Sequence, residues 1–245
     1  MYAMNEKNGY KIIRFDSISS TSDYAKEQRR EQRDLVVIAK TQTGGRGTKG
    51  RSFSSNVGGL YMTALRFFEN YPASRAFALM QHTAVAVCQT LARFGITAKI
   101  KWPNDILVDG KKICGILMEN TFLGSTLSCS TIGVGLNINN ALEDELLDIA
   151  TTMQTVLGES VDFEKVENCL LAYLFGADLS ENYQEYLGFV GEQVTLLIHQ
   201  EKVQAVLLGV TAQGELIAQT ALGKQVFASA EVSLRIAENT DTECK

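Results

Sequence analysis

The sequence predicts an α+β protein in two parts. Residues 1–188 form a larger domain with helices flanking a mixed β-sheet, and residues 189–237 form a small C-terminal β-barrel. A polar tail, residues 238–245, follows. Three observations lead there. Up to Tyr186 short apolar runs alternate with helical segments, one segment keeps strict 3-4 spacing, and past Gly188–Gly191 only short strands recur. The chain has 245 residues, 45% apolar and 21% charged, enough for one sizeable core and a smaller one leaning on it.

In order, Lys11–Phe15 reads as a strand. Asp16–Ser22 is a polar turn in which Thr21 or Ser22 caps a helix over Asp23–Glu31. Leu35–Ala39 is a continuous apolar run, the mark of a buried central strand, and Leu60–Arg66 is another strand. Pro72 and Ser74 open the clearest helix. In it Phe77, Met80, Ala84, Val87, Leu91 and Phe94 share one face, and Gly95 takes the C′ position. His82 on this helix is a surface or packing residue. Ala98–Trp102 is a strand ending at Pro103-Asn104-Asp105, and Ile106–Glu119 forms a hairpin turning at Asp109-Gly110. Thr131–Leu136 is a strand that ends in Asn137-Ile138-Asn139. Glu143–Leu157 and Asp162–Tyr186 read as helical. The barrel strands are Gln193–His199, Val203–Val210, Glu215–Thr220, Gln225–Ala228 and Glu231–Ile236.

The hairpin's second strand carries an oddity. Period 2 puts Lys112, Cys114, Ile116 and Met118 on one face and Ile113, Gly115, Leu117 and Glu119 on the other. Both faces are largely apolar, so the strand is central. Lys112 there either snorkels to water past the turn or serves a ligand. Gly115, bare in mid-strand, suits a ligand approaching the backbone.

The stretch Gln42–Arg51 holds four glycines and three cations in ten residues, with no acid. Glycine permits close backbone approach and the cations suit an anion, so the stretch reads as a phosphate-holding loop. It resembles a P-loop and a dinucleotide fingerprint only in spacing. Both need a helix to follow, and Phe53–Gly59 is a poor helix. Ordering so glycine-rich a loop costs ~1–2 kcal/mol per residue, so it is expected to close as a lid on bound ligand.

A net charge of −5 argues against bulk binding to nucleic acid or a membrane surface. Five cysteines without a C-x-x-C pair suit reduced thiols in the cytoplasm. Two histidines exclude a histidine-rich metal centre. No membrane-length apolar run or signal peptide is present.

Three motifs stand in order: Gly45–Arg51, Lys101-Trp-Pro-Asn-Asp-Ile106, and Gly133-Val-Gly-Leu-Asn-Ile-Asn139. With Ser20-Thr21-Ser22 and Ala230–Arg235, this set closely resembles the single-function biotin–protein ligases over nearly the whole chain. The resemblance implies the class II aminoacyl-tRNA-synthetase-like biotin/lipoate ligase fold with a barrel of the Src-homology type. It implies formation of biotinyl-5′-AMP from biotin and ATP, with Mg2+, and transfer to a lysine of a biotin carboxyl carrier domain. Lys112 and Arg46 are then catalytic. Ser20, Thr21, Ser22, Gln42, Gly45, Arg46, Gly47, Thr48, Lys112 and Gly115 hold biotin. Lys49, Arg51, Phe53, Lys101, Asn104, Asn137 and Asn139 line the ATP side, with Asp105 toward magnesium. Thr48 stands where the family often has Arg, Ser22 for the usual Asn, and Phe53 for a common Trp. A homodimer is allowed. With the catalytic strand beginning near Lys11, no DNA-binding module and no operator binding are expected. The alternatives are a non-catalytic biotin or nucleotide sensor and a lipoyl or octanoyl transferase of the same superfamily.

Overall fold

The computed structural model describes residues 2–7, 10–199, 201–229 and 232–236, apart from the side chains of 2–7 and 236. Strands β1 (Tyr2–Lys7) and β2 (Tyr10–Phe15) are followed by α1 (Thr21–Glu27), β3 (Leu35–Ala39), β4 (Leu60–Pro72) and α2 (Ala76–Arg93). Then come β5 (Lys99–Lys101), β6 (Asp105–Val108), β7 (Lys111–Leu123), β8 (Thr126–Leu136), α3 (Met153–Leu157), α4 (Phe163–Leu174) and α5 (Tyr183–Tyr186). The C-terminal strands are β9 (Gln193–Ile198), β10 (Glu201–Val210), β11 (Leu216–Thr220), β12 (Gly223–Phe227) and β13 (Val232–Ile236).

The large sheet has the order β1-β2-β3-β4-β8-β7-β6-β5. It is mixed, with β2 and β3 parallel and the neighbours of β4 antiparallel. β3 is buried at every residue, as its unbroken apolar run predicts. α2 buries Met80, Ala84, Val87 and Leu91 and ends at Gly95, whose φ of +78° is the left-handed cap conformation. The tight turn Asp109-Gly110 has φ of 49° and 80°, as the hairpin requires.

Several expectations are corrected. α1 starts at Thr21 and its N-cap is Ser20, whose hydroxyl accepts from the Asp23 amide at 3.2 Å. The segment 143–157 is a single turn at Asp144–Leu146 and then the short α3. Its middle is drawn off the helix by β7. The Lys112 amide donates to the Ile149 carbonyl (2.8 Å) and the Thr151 amide donates to the Lys112 carbonyl (2.9 Å). The segment 162–186 breaks after α4. There His82 accepts the Leu179 amide on Nδ1 and donates from Nε2 to the Leu174 carbonyl, both at 3.0 Å, fastening the turn between α4 and α5. β1, whose Tyr-Ala-Met-Asn-Glu-Lys lacks alternation, forms by pairing with β2.

The C-terminal strands are antiparallel in the order β12-β11-β10-β9-β13, and the barrel is not closed. A bulge between Leu207 and Gly209 curls the sheet, and its apolar face packs on the rest of the chain. Val194, Leu196, Leu207, Leu216 and Leu234 share one core with Trp102, Leu187 and α2. Trp102 donates its buried Nε1–H to the Gly214 carbonyl at 2.9 Å. Gly214 (φ +89°) lies so close under Phe77 that a Cβ there would stand 2.2 Å from its ring.

Candidate active site

The capping by Ser20 decides what its neighbours do. With Ser20 engaged at the helix end, Thr21 and Ser22 turn inward, both buried. Thr21 donates its amide to Gln42 Oε1 at 2.8 Å, and its hydroxyl lies 2.8 Å from Thr63 Oγ1. Ser22 Oγ lies 3.2 Å from the same Thr63 oxygen. Gln42 donates to Ser55 Oγ at 3.0 Å, and Ser55 donates to the Phe53 carbonyl at 3.0 Å. A fully buried hydroxyl, Thr63, thus joins two of the predicted polar residues. Sequence reasoning did not single it out, although it is the one non-aromatic residue in Leu60–Leu65 with a hydroxyl.

The second structural device is on β7. Between β6 and β7 the register slips: Ile106 faces Cys114 while Leu107 faces Lys112. This bulge at Ile113 cancels one step of the alternation. Lys112 therefore leaves the face of Cys114, where strict period 2 puts it, and lies over Gly115. A Cβ on Gly115 would stand 2.9 Å from Lys112 Nζ. Asp105 pairs in register with Gly115 on that same face and accepts from Lys112 Nζ at 2.6 Å. Lys101, opposite Asp105, completes the row. Burial pushes the Lys101 ammonium below its usual range. Asp105 opposes that shift, and Arg235, Lys112 and Arg51 add to it.

Gly115 faces Gly135 across β7 and β8. Two bare positions side by side make a flat floor, and Phe53 lies on it. A Cβ would stand 2.7 Å from its ring at Gly135 and 3.2 Å at Gly115. Lys112 Nζ is 5.7 Å from the ring centroid. Gly133 is tight as well, though less so, a Cβ there meeting Ser22 Oγ at 3.1 Å. Gly133 and Gly135, two apart on one strand, share this face.

The glycine-basic stretch folds as a narrow hairpin rather than an open loop. Gly47 donates to the Arg51 carbonyl (2.7 Å), Phe53 to the Gly45 carbonyl (2.9 Å), and Lys49-Gly50 form its left-handed tip. A Cβ on Gly45 would stand 2.3 Å from the Phe53 carbonyl, so only glycine fits there. Arg46 reaches Asp23 Oδ1 at 2.6 Å and Glu119 Oε1 at 3.3 Å. Lys49 donates to Ser233 Oγ of β13 at 3.0 Å.

Two cavities meet under this hairpin. The first, of about 120 Å³, is lined by Thr21, Ser22, Gln42, Arg46, Lys112 and the glycine floor, among others. The second, of about 670 Å³, lies between Lys101–Asp105, the hairpin and β13, with Lys49, Arg51, Lys101 and Arg235 on its wall. Thr48, Arg51 and Asn104 border both. Gly47, Thr48 and Phe53 join the first cavity, and Lys49, Lys101 and Asp105 the second. Ser20 and Gly45 line neither and shape the backbone beside them. Asn137 and Asn139 lie past the end of β8 and also line neither. Asn137 donates to the Thr151 carbonyl (3.1 Å), and Asn139 bonds both ways with Val161. Asn104 donates to the Ile116 carbonyl at 2.8 Å, clamping the Trp102–Asp105 turn to β7.

Comparison with known proteins agrees with this arrangement. The model of the biotin/lipoate A/B protein ligase family matches residues 14–137, and that of the biotin protein ligase C-terminal domain matches residues 189–235. The chain is 31% identical over 251 residues to the bifunctional ligase/repressor BirA of Bacillus subtilis, covering 94% of this chain and 75% of that protein. It is 28% identical over 218 residues to the biotin–[acetyl-CoA-carboxylase] ligase of Paracoccus denitrificans, covering 80% and 88%. The structure of biotin protein ligase from Aquifex aeolicus in complex with biotin and ATP superposes with a TM-score of 0.74 at 28% identity, over 92% of this chain and 99% of that one. By its motifs, its fold and these likenesses, the chain belongs to the biotin protein ligase family.

Proposed function

We propose that this biotin ligase works in two steps on the floor formed by Gly115 and Gly135. A biotin carboxylate oxygen attacks the α-phosphorus of ATP. The bond to the bridging oxygen breaks, pyrophosphate leaves, and biotinyl-5′-AMP remains. The ε-amine of a lysine on a biotin carboxyl carrier domain then attacks the anhydride carbonyl. An amide forms, AMP leaves with the bonding pair, and the amine's proton passes to solvent. Neither step needs an enzyme nucleophile. The demand is to bring two anions together, orient them and exclude water.

The observation that carries the reading is the bulge that turns Lys112 onto the Gly115–Asp105 face. It sets one ammonium on the wall of the first cavity, paired to a carboxylate on the wall of the second. Biotin's ring end would sit at Thr21, Ser22, Gln42 and Thr63, and its carboxylate would reach Lys112. The nucleotide would occupy the larger cavity, whose Lys49, Arg51, Lys101 and Arg235 offset its charge, with Phe53 available for stacking. Asp105 is the sole carboxylate there among the described residues. One carboxylate fits a magnesium ion that keeps several waters and is held mainly by substrate phosphates. When bound, that ion would screen the phosphate charge.

Among the described residues four cysteines are free thiols, which with the need for ATP suits the cytoplasm, and no helix there is long and apolar enough to cross a membrane. The test is transfer itself. Purified protein with biotin, ATP and Mg2+ is expected to add one biotin to a carrier domain and none to its Lys→Arg variant. ATP-independent labelling, or preference for lipoate, would reject the reading.

A further inference from the structure

The charges around the hairpin separate into two groups of different character. On the second cavity, among the described residues, stand Lys49, Arg51, Lys101 and Arg235 against Asp105 alone, a net positive set. On the outer side, Arg46 and Lys26 face Asp23 and Glu119. Arg46 lies 2.6 Å from Asp23 and 3.3 Å from Glu119, and Lys26 Nζ lies 2.5 Å from the other Glu119 oxygen. This square is neutral. Burial works against the Arg46 charge, but the hydrogen bonds and charges of Asp23 and Glu119 together outweigh it and leave the guanidinium raised, so it stays charged at any working pH. Its members come from three elements: Asp23 and Lys26 from α1, Arg46 from the hairpin, Glu119 from β7. Neither Asp23 nor Glu119 lines either cavity.

An arginine neutralised by two carboxylates attracts a polyanion far less than the unbalanced set does. What it does achieve is mechanical. Two charge-assisted hydrogen bonds anchor the hairpin to α1 and β7, directly over the first cavity. We propose that Asp23 and Glu119 are positioning residues that act through Arg46, pinning the hairpin over bound biotinyl-adenylate, and that the reacting phosphate is handled by the other cations. This rests on the ligase reading and gives Arg46 a part in retention rather than in bond making.

Each contact is partly exposed, with side-chain exposures of 33–48% at Asp23, Arg46 and Glu119, so each is worth little alone. Breaking one should speed adenylate release about fivefold, which corresponds to ~1 kcal/mol. The experiment uses the full chain with labelled biotin and ATP. It measures adenylate formation by quench, adenylate release by chase, and protease cutting between Arg46 and Arg51 with adenylate bound. Glu119→Gln and Asp23→Asn keep shape and remove charge. Asp23, half-exposed on the first turn of α1, serves if the Glu119 variant does not fold. Release and cutting are expected to rise about fivefold in each, while formation changes by less than twofold. In an Arg46→Ala background neither substitution should speed release further. Release unchanged in both single variants, or equal acceleration with Arg46 absent, would overturn the pinning role. Absence of any adenylate from the unaltered protein would instead count against the ligase reading.

Discussion

Replacing Lys112 with methionine tests the site at its centre. Methionine keeps most of the stem that lies over Gly115 and removes the ammonium that meets Asp105 at 2.6 Å. The pair is 34% and 21% exposed, so its loss should cost folding no more than ~1 kcal/mol, or ~2–4 °C in Tm for a chain of this size. The chemical cost is much larger. In the first step two anions approach, and Lys112 is the ammonium on the wall between them. Removing one such preorganised donor typically raises the barrier by ~2.7–4 kcal/mol, a rate loss of ~10²–10³. Lys101 stands on the same face and offers partial substitution, so the expected loss is at least tenfold and about 100-fold if Lys101 does not compensate. Pre-steady-state pyrophosphate release at saturating biotin and ATP reads this directly, with a thermal melt on the same samples. A rate within threefold of the unaltered protein, with Tm preserved, would refute the role given to Lys112.

Three further outcomes follow from the packing. Gly115→Ala places a methyl 2.9 Å from Lys112 Nζ and 3.2 Å from Phe53, both movable side-chain ends. The protein should fold and lose about tenfold in turnover as Lys112 is displaced; turnover alongside circular dichroism checks this. Trp102→Phe removes the donor to the buried Gly214 carbonyl and should cost ~1–3 kcal/mol, seen as a lower urea midpoint and looser docking of the C-terminal sheet. Burial pushes the Cys88 thiol up to about 12 and raises Cys114 as well. Unfolded thiols titrate near ~8.5, so above that pH the unfolded state binds fewer protons than the native one and stability falls as pH rises. The urea midpoint should therefore drop between pH 8 and pH 10, and a Cys88→Ala, Cys114→Ala variant should show a smaller drop.

Much of the scaffold was legible because local signals and tertiary needs agreed. Leu35–Ala39 is apolar throughout and buried throughout, and Gly95 ends its helix as a left-handed cap. The three motifs converge on one place because β6, β7 and β8 are neighbours in the sheet and the Gly45–Arg51 hairpin leads into β4, the other neighbour of β8. What was not legible depended on long-range pairing. Nothing local announces the bulge at Ile113, so strict alternation puts Lys112 on the wrong face. Because β8 ends opposite Cys114, the Lys112 amide and carbonyl are satisfied by Ile149 and Thr151, which explains why a helical pattern over 143–157 yields mostly loop. Ser20, Thr21 and Ser22 are all capping types. Only packing against Thr63 distinguishes them. Asn137 and Asn139, paired by motif, are used in the structure to fasten the chain after β8 to Thr151 and Val161.

The most direct test mixes the protein with biotin, ATP and Mg2+ in the absence of any carrier and assays the products by mass spectrometry and pyrophosphate detection. Biotinyl-5′-AMP is expected to stay on the protein, with one pyrophosphate released per active site, each dependent on both substrates. Biotin bound with no pyrophosphate and no adenylate would contradict it and leave a binding protein in place of a ligase.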